Sequence, residues 1–357
     1  MANVRPLVRK NGVMTQMRAG VDTIDPALFA VPGGNLLING DFDYWQRGVN
    51  FYSALGYGPD RWFYQQGSVS GGSFNRLSVG LGDTNFAGSS DVMRVELSGN
   101  DSATNTYQTF EQRIEDVNVT ATKPVTTSFV VVNNGAAGRK IAIEYVQVFG
   151  KNATGAAPVF GIGSATYTLA AGYNYIQHTA TPPSVAGKSF LPGHSFVVVI
   201  WTSAGSNFNS RSASLGLQTG QLLFGKMKVE IGSVATPFVK RDRGEEFRLC
   251  QRYYEKSYDI DVPPGANANN GRFAFSSSNL PGGTHWATVY FKVQKRDTPA
   301  ITIWPAPQGP AGNVAQDNGV ATSGLVENIG QSGYQVAWSN DGSRFGGWWN
   351  WVADAEL

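Results

Sequence analysis

Three runs rich in β-branched and aromatic residues constrain the fold more than any other feature of the chain: Thr127-Ser-Phe-Val-Val-Val132, Lys140-Ile-Ala-Ile-Glu-Tyr-Val-Gln-Val-Phe149 and Ser195-Phe-Val-Val-Val-Ile-Trp201. Each has the composition and length of a strand, and clusters of Gly, Asn, Ser and Pro separate them. In the second run Ile141, Ile143 and Tyr145 fall on one face, and Lys140, Ala142 and Glu144 on the other. That alternation predicts a strand with one buried and one solvated side. Val130 to Val132 and Val197 to Val199 are continuous instead, which places them deeper. From Asn35 to about Lys240 the pattern predicts a β-sandwich of the jelly-roll kind.

A chain of 357 residues with 43 glycines and 15% charged residues exceeds one ordinary domain and is poor in helix formers. The 41% hydrophobic fraction is enough for a sizeable interior, so a folded, all-β protein with more than one core is expected. A formal charge of +2 offers no basic face for phosphates, so nucleic acid is not an expected partner. No apolar run approaches the roughly 20 residues of a membrane span, and Met-Ala-Asn-Val-Arg-Pro lacks the apolar core of a secretory signal. The expectation is a soluble protein made in a cytoplasm, with no membrane insertion. Cys250 is the only cysteine, which excludes an intrachain disulfide and a cysteine-rich zinc site.

The first segment, residues 1–34, reads as a hairpin arm. Asn11-Gly12 between Leu7-Val-Arg-Lys10 and Val13-Met-Thr-Gln-Met17 suits a type I′ turn, and Pro32-Gly33-Gly34 closes the segment as a linker. One reading is a frayed terminus; the other is an arm that docks on a partner through Arg9, Lys10, Asn11 and Gly12. The sandwich is expected over 35–243. A short amphipathic helix follows over 244–258, with Asp242 upstream and Glu245 and Glu246 in its first turn, where negative charge suits the helix dipole. Phe247, Cys250 and Tyr254 share one helical face with Tyr253 on its flank, so the helix should join two domains by packing. Residues 259–357 hold a second strand set and predict a smaller C-terminal β-sandwich.

The blocks Asn35-Leu-Leu-Ile-Asn-Gly-Asp-Phe42, Trp45-Gln-Arg-Gly48, Gly56-Tyr-Gly-Pro-Asp-Arg-Trp62, Gln112-Arg-Ile-Glu-Asp-Val117, Lys228-Val-Glu-Ile-Gly-Ser-Val-Ala-Thr-Pro-Phe238 and Leu249-Cys-Gln-Arg-Tyr-Tyr254 stand in this order along the chain. In that order they resemble a recurring family of phage and prophage tail fibre proteins. Arg296-Asp-Thr-Pro-Ala-Ile-Thr-Ile303 and Ala353-Asp-Ala-Glu-Leu357 are similar to the C-terminal domain that accompanies them. The resemblance implies a carbohydrate-binding-module-like jelly roll on a virion fibre or spike, commonly homotrimeric. Another virion protein would hold the N-terminal arm, and host-surface polysaccharide is a candidate ligand.

Trp45 and Trp62 beside Arg47 and Arg61 read in two ways. Aromatic rings stack on sugar faces while Arg binds hydroxyls, yet such rings also supply much of any core. In Gly346-Gly-Trp-Trp-Asn-Trp351, Trp349 and Trp351 would point to one side of a strand and Trp348 to the other, leaving Trp348 as the candidate for a surface role. Domains of the carbohydrate-binding-module kind often hold a structural calcium near the first strand. Asn39, Asp41, Asp43 and Glu230 carry hard oxygen atoms suited to it, although Asp41 and Asp43 also read as solvated carboxylates.

Nothing in the sequence points to catalysis. His178, His194 and His285 are widely spaced, and no Gly-x-Ser-x-Gly elbow occurs. Gly187-Lys188-Ser189 lacks the phosphate-loop glycine because Pro182 takes its place. Glu115 and Asp116 would alternate faces on a strand. Cys250 on an apolar helix face reads as a structural thiol. The expected function is a non-enzymatic fibre or spike subunit in the virion that attaches to host glycan. The alternatives are a decoration or adaptor of capsid, collar or tail, and, less favoured, a polysaccharide depolymerase.

Overall fold

The computed structural model describes residues 34–52, 55–80, 82–97, 99–151, 155–276, 283–316, 319–340 and 346–357, together with the backbone of 7–10 and 13–16. Two six-stranded antiparallel sheets face each other. The first runs β11 (Val159–Thr168), β10 (Lys140–Val148), β13 (Ser195–Ala204), β8 (Tyr107–Glu115), β5 (Phe63–Gly67), β4 (Gly56–Tyr57). The second runs β12 (Gly172–Ala180), β9 (Val125–Asn133), β14 (Gly220–Ile231), β7 (Asp91–Leu97), β6 (Ser73–Ser78), β3 (Asn50–Tyr52). The chain passes repeatedly from one sheet to the other, giving a jelly-roll-like sandwich, as the strand runs predicted.

The core follows from the period of two. Phe110, Ile143, Tyr145, Val198 and Ile200 from the first sheet meet Met93, Phe129, Val131, Leu222 and Phe224 from the second. The Phe110 and Phe224 rings lie 4.9 Å apart edge to face across the layers. Each such side chain contributes about 1.5–3 kcal/mol by leaving water.

The outer faces differ from expectation. Ala142 and Glu144, assigned by alternation to solvent, are fully buried. A segment holding the short helix α1 (Asn209–Ser212) crosses that face, and a second cluster of Ala142, Val146, Val197, Val199, Trp201 and Leu215 forms beneath it. Phe86 does the same for Val130, Val132 and Leu223 on the other sheet. The continuous valines thus reflect strands covered on both sides.

At the N-terminus β1 (Leu7–Lys10) pairs with β2 (Val13–Gln16), Lys10 opposite Val13, which leaves a two-residue connection as the Asn-Gly pair predicted. Asn11 and Gly12 themselves lie outside the described residues, as do the side chains of Arg9 and Lys10.

The expected helix is shorter than the 244–258 segment assigned to it. Helix α2 spans Arg243–Gln251, and the Asp242 carboxylate accepts the Gly244 and Glu245 amides at 2.9 and 3.2 Å. Cys250 is buried on it, as read, and Phe247 is half-buried. Tyr253 and Tyr254 lie beyond its end: Tyr254 opens β15 (Tyr254–Lys256), which pairs with the last strand, β22 (Gly346–Asp354). Strand pairing with a distant partner overrides the helical spacing of Phe247, Cys250 and Tyr254.

In the C-terminal sheet β22 also pairs with β16 (Phe273–Ser276), β18 (Ala300–Pro305) and β19 (Asn313–Gln316). The sheet continues through β20 (Ala321–Gly330) and β21 (Gly333–Asn340) to β17 (Gly283–Tyr290). Trp349 and Trp351 are buried with Tyr334, Val336 and Trp338, while Trp348 is half-buried on the opposite side, the alternation expected. Among the described residues no helix is long and apolar enough to cross a membrane.

One core residue gives the sandwich an acid limit. His178 on β12 is buried, its ring 5.0 Å from that of Tyr145 and its Nδ1 3.0 Å from the Tyr167 hydroxyl. Burial pushes the imidazole down to about 4. The unfolded chain, titrating near 6.5, then binds a proton that the native state refuses. The stability tied to neutral His178 is complete above pH 6.5 and lost as pH falls through 4, up to about 3 kcal/mol. Denaturant melts of the wild type should lose stability across that window, and His178→Asn should flatten the loss. An equal slope in the variant would place the acid sensitivity elsewhere.

Candidate functional site

Strand β8 alternates along Tyr107-Gln-Thr-Phe-Glu-Gln-Arg113: Phe110 enters the sandwich core, while Tyr107, Thr109, Glu111 and Arg113 point to the outer face. In register beside them, Gln65 on β5 lies opposite Thr109, and Trp201 and Val199 on β13 lie opposite Thr109 and Glu111. The crossing segment closes one end: the Phe208 ring stands 5.0 Å from Tyr107 and 5.5 Å from Trp201. Phe160 on β11, 52% exposed, forms part of the rim. Together these residues enclose a groove of about 260 Å³.

The charges of the groove are matched internally. Glu144, fully buried, accepts from Arg211 Nε at 2.9 Å, from Trp201 Nε1 at 3.2 Å and from the Gly161 amide at 2.8 Å. The Arg211 guanidinium also sits 4.4 Å from the Phe160 ring centre and 5.1 Å from that of Trp201. Glu111 is paired with Arg113 at 3.2 Å. Burial raises the Glu111 carboxyl above its ordinary range, with Arg113 and Arg211 pulling the other way and Glu144 adding to the rise. The groove therefore offers an apolar floor of valines and Trp201, aromatic walls, and hydrogen-bonding groups with no excess charge. It suits a ligand with apolar faces and hydroxyl edges. Sequence reasoning assigned no ligand-binding role to these residues, although the alternation from Tyr107 to Arg113 and the tryptophan ending the third valine run were visible in it.

The residues singled out from sequence sit elsewhere. Trp45 and Trp62 are each 1% exposed, so neither can stack on a sugar, and of their two readings the core one holds. Trp45 Nε1 donates to the Phe42 carbonyl at 2.6 Å, and Trp62 Nε1 to the Asn39 carbonyl at 3.0 Å. Arg61, also 1% exposed, is ion-paired with Glu356, and its guanidinium lies 3.4 Å from the Tyr253 ring centre. Arg47 reaches Asp354 at 3.2 Å and Glu356 at 3.3 Å, 3.6 Å from the Tyr254 ring centre. Both arginines thus fasten the C-terminal tail to the sandwich and are unavailable to a glycan. Trp348 stands apart from these four, its ring 5.1 Å from the Arg272 guanidinium.

The four candidate calcium ligands do not share a centre. Asp41 and Asp43 converge on Lys240 Nζ, at 3.1 and 2.8 Å, so the ammonium fills the place between them. Asp41 and Asp43 are accordingly buried and paired, not solvated. Glu230 is engaged by the Thr236 amide and hydroxyl and by Lys228. The Asn39 side chain is spent on Tyr44 and on the Asp60 carbonyl. Among the described residues no group of three or more His, Cys, Asp or Glu is placed to hold a metal ion.

No family model and no curated protein matches the chain. Solved structures do. The enzymatically active domain of tailspike protein 4 from bacteriophage CBA120 aligns over 57% of this chain at 12% identity with a TM-score of 0.34, and the chain spans 22% of that structure's length. A family 11 carbohydrate-binding module from Clostridium thermocellum aligns over 53% of this chain and 99% of its own, at 12% identity and a TM-score of 0.29. A Stig cyclase from Fischerella sp. TAU aligns over 55% of this chain and 96% of its own, at 10% identity and a TM-score of 0.34.

The junction yields a sharp test. Glu356→Ala leaves the Arg61 guanidinium buried without its carboxylate, and removing one partner of a buried pair costs about 3–5 kcal/mol. Chemical denaturation of the full chain should show that loss, and the double change Arg61→Met with Glu356→Leu should recover most of it. A loss below about 1 kcal/mol for the single variant would mean that the tail is not held by this pair.

Proposed function

We propose that the protein is a non-enzymatic fibre or spike subunit of a phage virion whose jelly-roll groove holds host-surface glycan. The observation that carries the reading is the groove itself: aromatic walls from Tyr107, Phe160 and Phe208 around hydrogen-bonding Gln65, Thr109 and Glu111, on an otherwise covered sheet face. Stacking on the apolar face of a sugar ring and hydrogen bonding to its edge require these two kinds of group side by side. The virion setting rests on the ordered sequence blocks from Asn35 to Tyr254.

Binding without cleavage is favoured because Glu144, in register with Glu111 across Val199, is committed to Arg211, Trp201 and Gly161. Glycoside hydrolysis ordinarily needs two working carboxyl groups. In this reading the N-terminal hairpin docks on another virion protein and three copies assemble. Several individually weak grooves then hold one cell by avidity.

The groove is tested at Phe160, 52% exposed, and at the half-buried Gln65, where truncation should leave the fold intact. On an array of bacterial surface polysaccharides, Phe160→Ala and Gln65→Ala should each weaken binding about tenfold, on the order of 1.4 kcal/mol. Thermal melting should stay unchanged. Wild-type affinity in both variants would remove the groove as the glycan site, and shortening of the polysaccharide during incubation would restore the depolymerase reading. Sedimentation equilibrium should give a trimer, and a stable monomer would overturn that assembly.

A further inference from the structure

We propose that the outer face of the C-terminal sheet is a second carbohydrate-binding surface, separate from the groove, built around Tyr290 and Trp286. Strand β17 alternates strictly: His285, Ala287 and Val289 are buried, while Trp286 and Tyr290 stand 56% and 77% exposed on the other side. The register continues the face across the sheet. Trp286 lies opposite Ala337, which lies opposite Leu325, itself 62% exposed. One step along, Thr288 lies opposite Gln335, and Tyr290 lies opposite Gly333.

Between the two aromatic positions runs a ladder of neutral hydrogen-bonding groups. Asn328 Nδ2 donates to Gln335 Oε1 at 2.6 Å, and Gln335 Nε2 donates to Thr288 Oγ1 at 3.2 Å. Beside Tyr290 the surface dips into a shallow recess of about 490 Å³ with Gly330 and Gly333 in its lining. A Cβ at Gly333 would come within 2.4 Å of the Val289 carbonyl oxygen, so this position must stay bare and the floor beside the tyrosine flat.

The chemistry of the face selects its occupant. Among the described outward positions of β17, β21 and β20, Glu327 is the only charged side chain, so there is nothing to recognise a phosphate or an acidic polymer. A protein seam would need a continuous apolar centre, whereas here a polar ladder divides Trp286 and Leu325 from Tyr290. An exposed ring beside a flat floor and a row of amides and a hydroxyl matches a neutral sugar, which has an apolar face and a rim of hydroxyls. Trp286 and Tyr290 are four residues apart on one face, about 13 Å, so an oligosaccharide is needed to reach both rings.

The experiment uses the full chain and an array of neutral and acidic oligosaccharides, read for wild type, Phe160→Ala, Tyr290→Ala, Trp286→Ala and Phe160→Ala combined with each of the last two. Both face residues are exposed, so the variants should melt like the wild type. The expected result is binding of at least one neutral oligosaccharide that survives Phe160→Ala and falls at least tenfold when Tyr290→Ala or Trp286→Ala is added. The proposal is overturned if no neutral oligosaccharide shows that dependence. It is also overturned if Tyr290→Ala and Trp286→Ala abolish self-association in sedimentation, which would make the face a seam between copies. If Phe160→Ala alone removes all binding, the second surface fails and the groove stands; if only the Tyr290 and Trp286 changes matter, the groove fails and this surface stands.

Discussion

The buried pair between Arg61 and Glu356 ties the sandwich to the C-terminal tail, and the contacts of that junction gather around it. Arg61 belongs to the turn between β4 and β5 of the first sheet, and Glu356 to the tail that follows β22. Two charges taken out of water are costly unless further hydrogen bonds meet the remaining donors and acceptors. The surroundings meet all but Arg61 Nε and Arg47 Nη1 of the two guanidinium groups: Arg61 also donates to the Arg113 carbonyl at 2.7 Å and lies over Tyr253, while Arg47 shares the Glu356 carboxylate and lies over Tyr254. Tyr57 donates to the Leu357 carbonyl, and the Ala355 amide donates to the Tyr253 carbonyl. A tail that makes all these contacts at once holds the C-terminal sheet against the sandwich.

The same junction explains the sequence blocks as a structural unit. Asn39, Phe42 and Arg61 hold positive φ of 56°, 55° and 73°, a region that costs side-chain-bearing residues on the order of 1–3 kcal/mol each. Such backbone persists where several interactions fix it together. Asn39 is bonded through its side chain to Tyr44 and Asp60 and through its amide to Glu246 on α2, while its carbonyl accepts from Trp62. Gln46 grips Asp60, whose carboxyl burial pushes up to about 6. Asn39, Trp45, Arg61 and Trp62, read from sequence as sugar or calcium ligands, are therefore fasteners of this turn.

The strands, the Asn-Gly hairpin, the Asp242 cap and the alternation of Trp348, Trp349 and Trp351 were legible because each depends on neighbours within a few residues. The helix end was not: Tyr254 continues a helical face in sequence, but its pairing with Asp354, near the chain's last residue, decides its structure. Nor was the groove. Its parts come from Gln65, Tyr107 to Arg113, Phe160, Trp201 and Arg211, brought together by strand order and by a crossing segment that sequence alternation cannot anticipate. Glu144 shows the failure in one residue: its place in the alternation says solvent, yet the segment carrying Arg211 supplies the cation that lets it be buried.

That substitution of an arginine for water shapes the groove. Without Arg211, Glu144 would draw solvent onto the sheet, and Val197, Val199 and Trp201 would lose the dry surface against which a ring can rest. With it, the carboxylate holds the guanidinium, and the guanidinium in turn lies against Trp201 and Phe160. One buried charge thus fixes the Trp201 floor and the Phe160 wall and leaves the groove electrically balanced. On the proposed glycan reading, selection falls to shape and to the hydrogen bonds at the rim, because long-range attraction to a charged polymer contributes little.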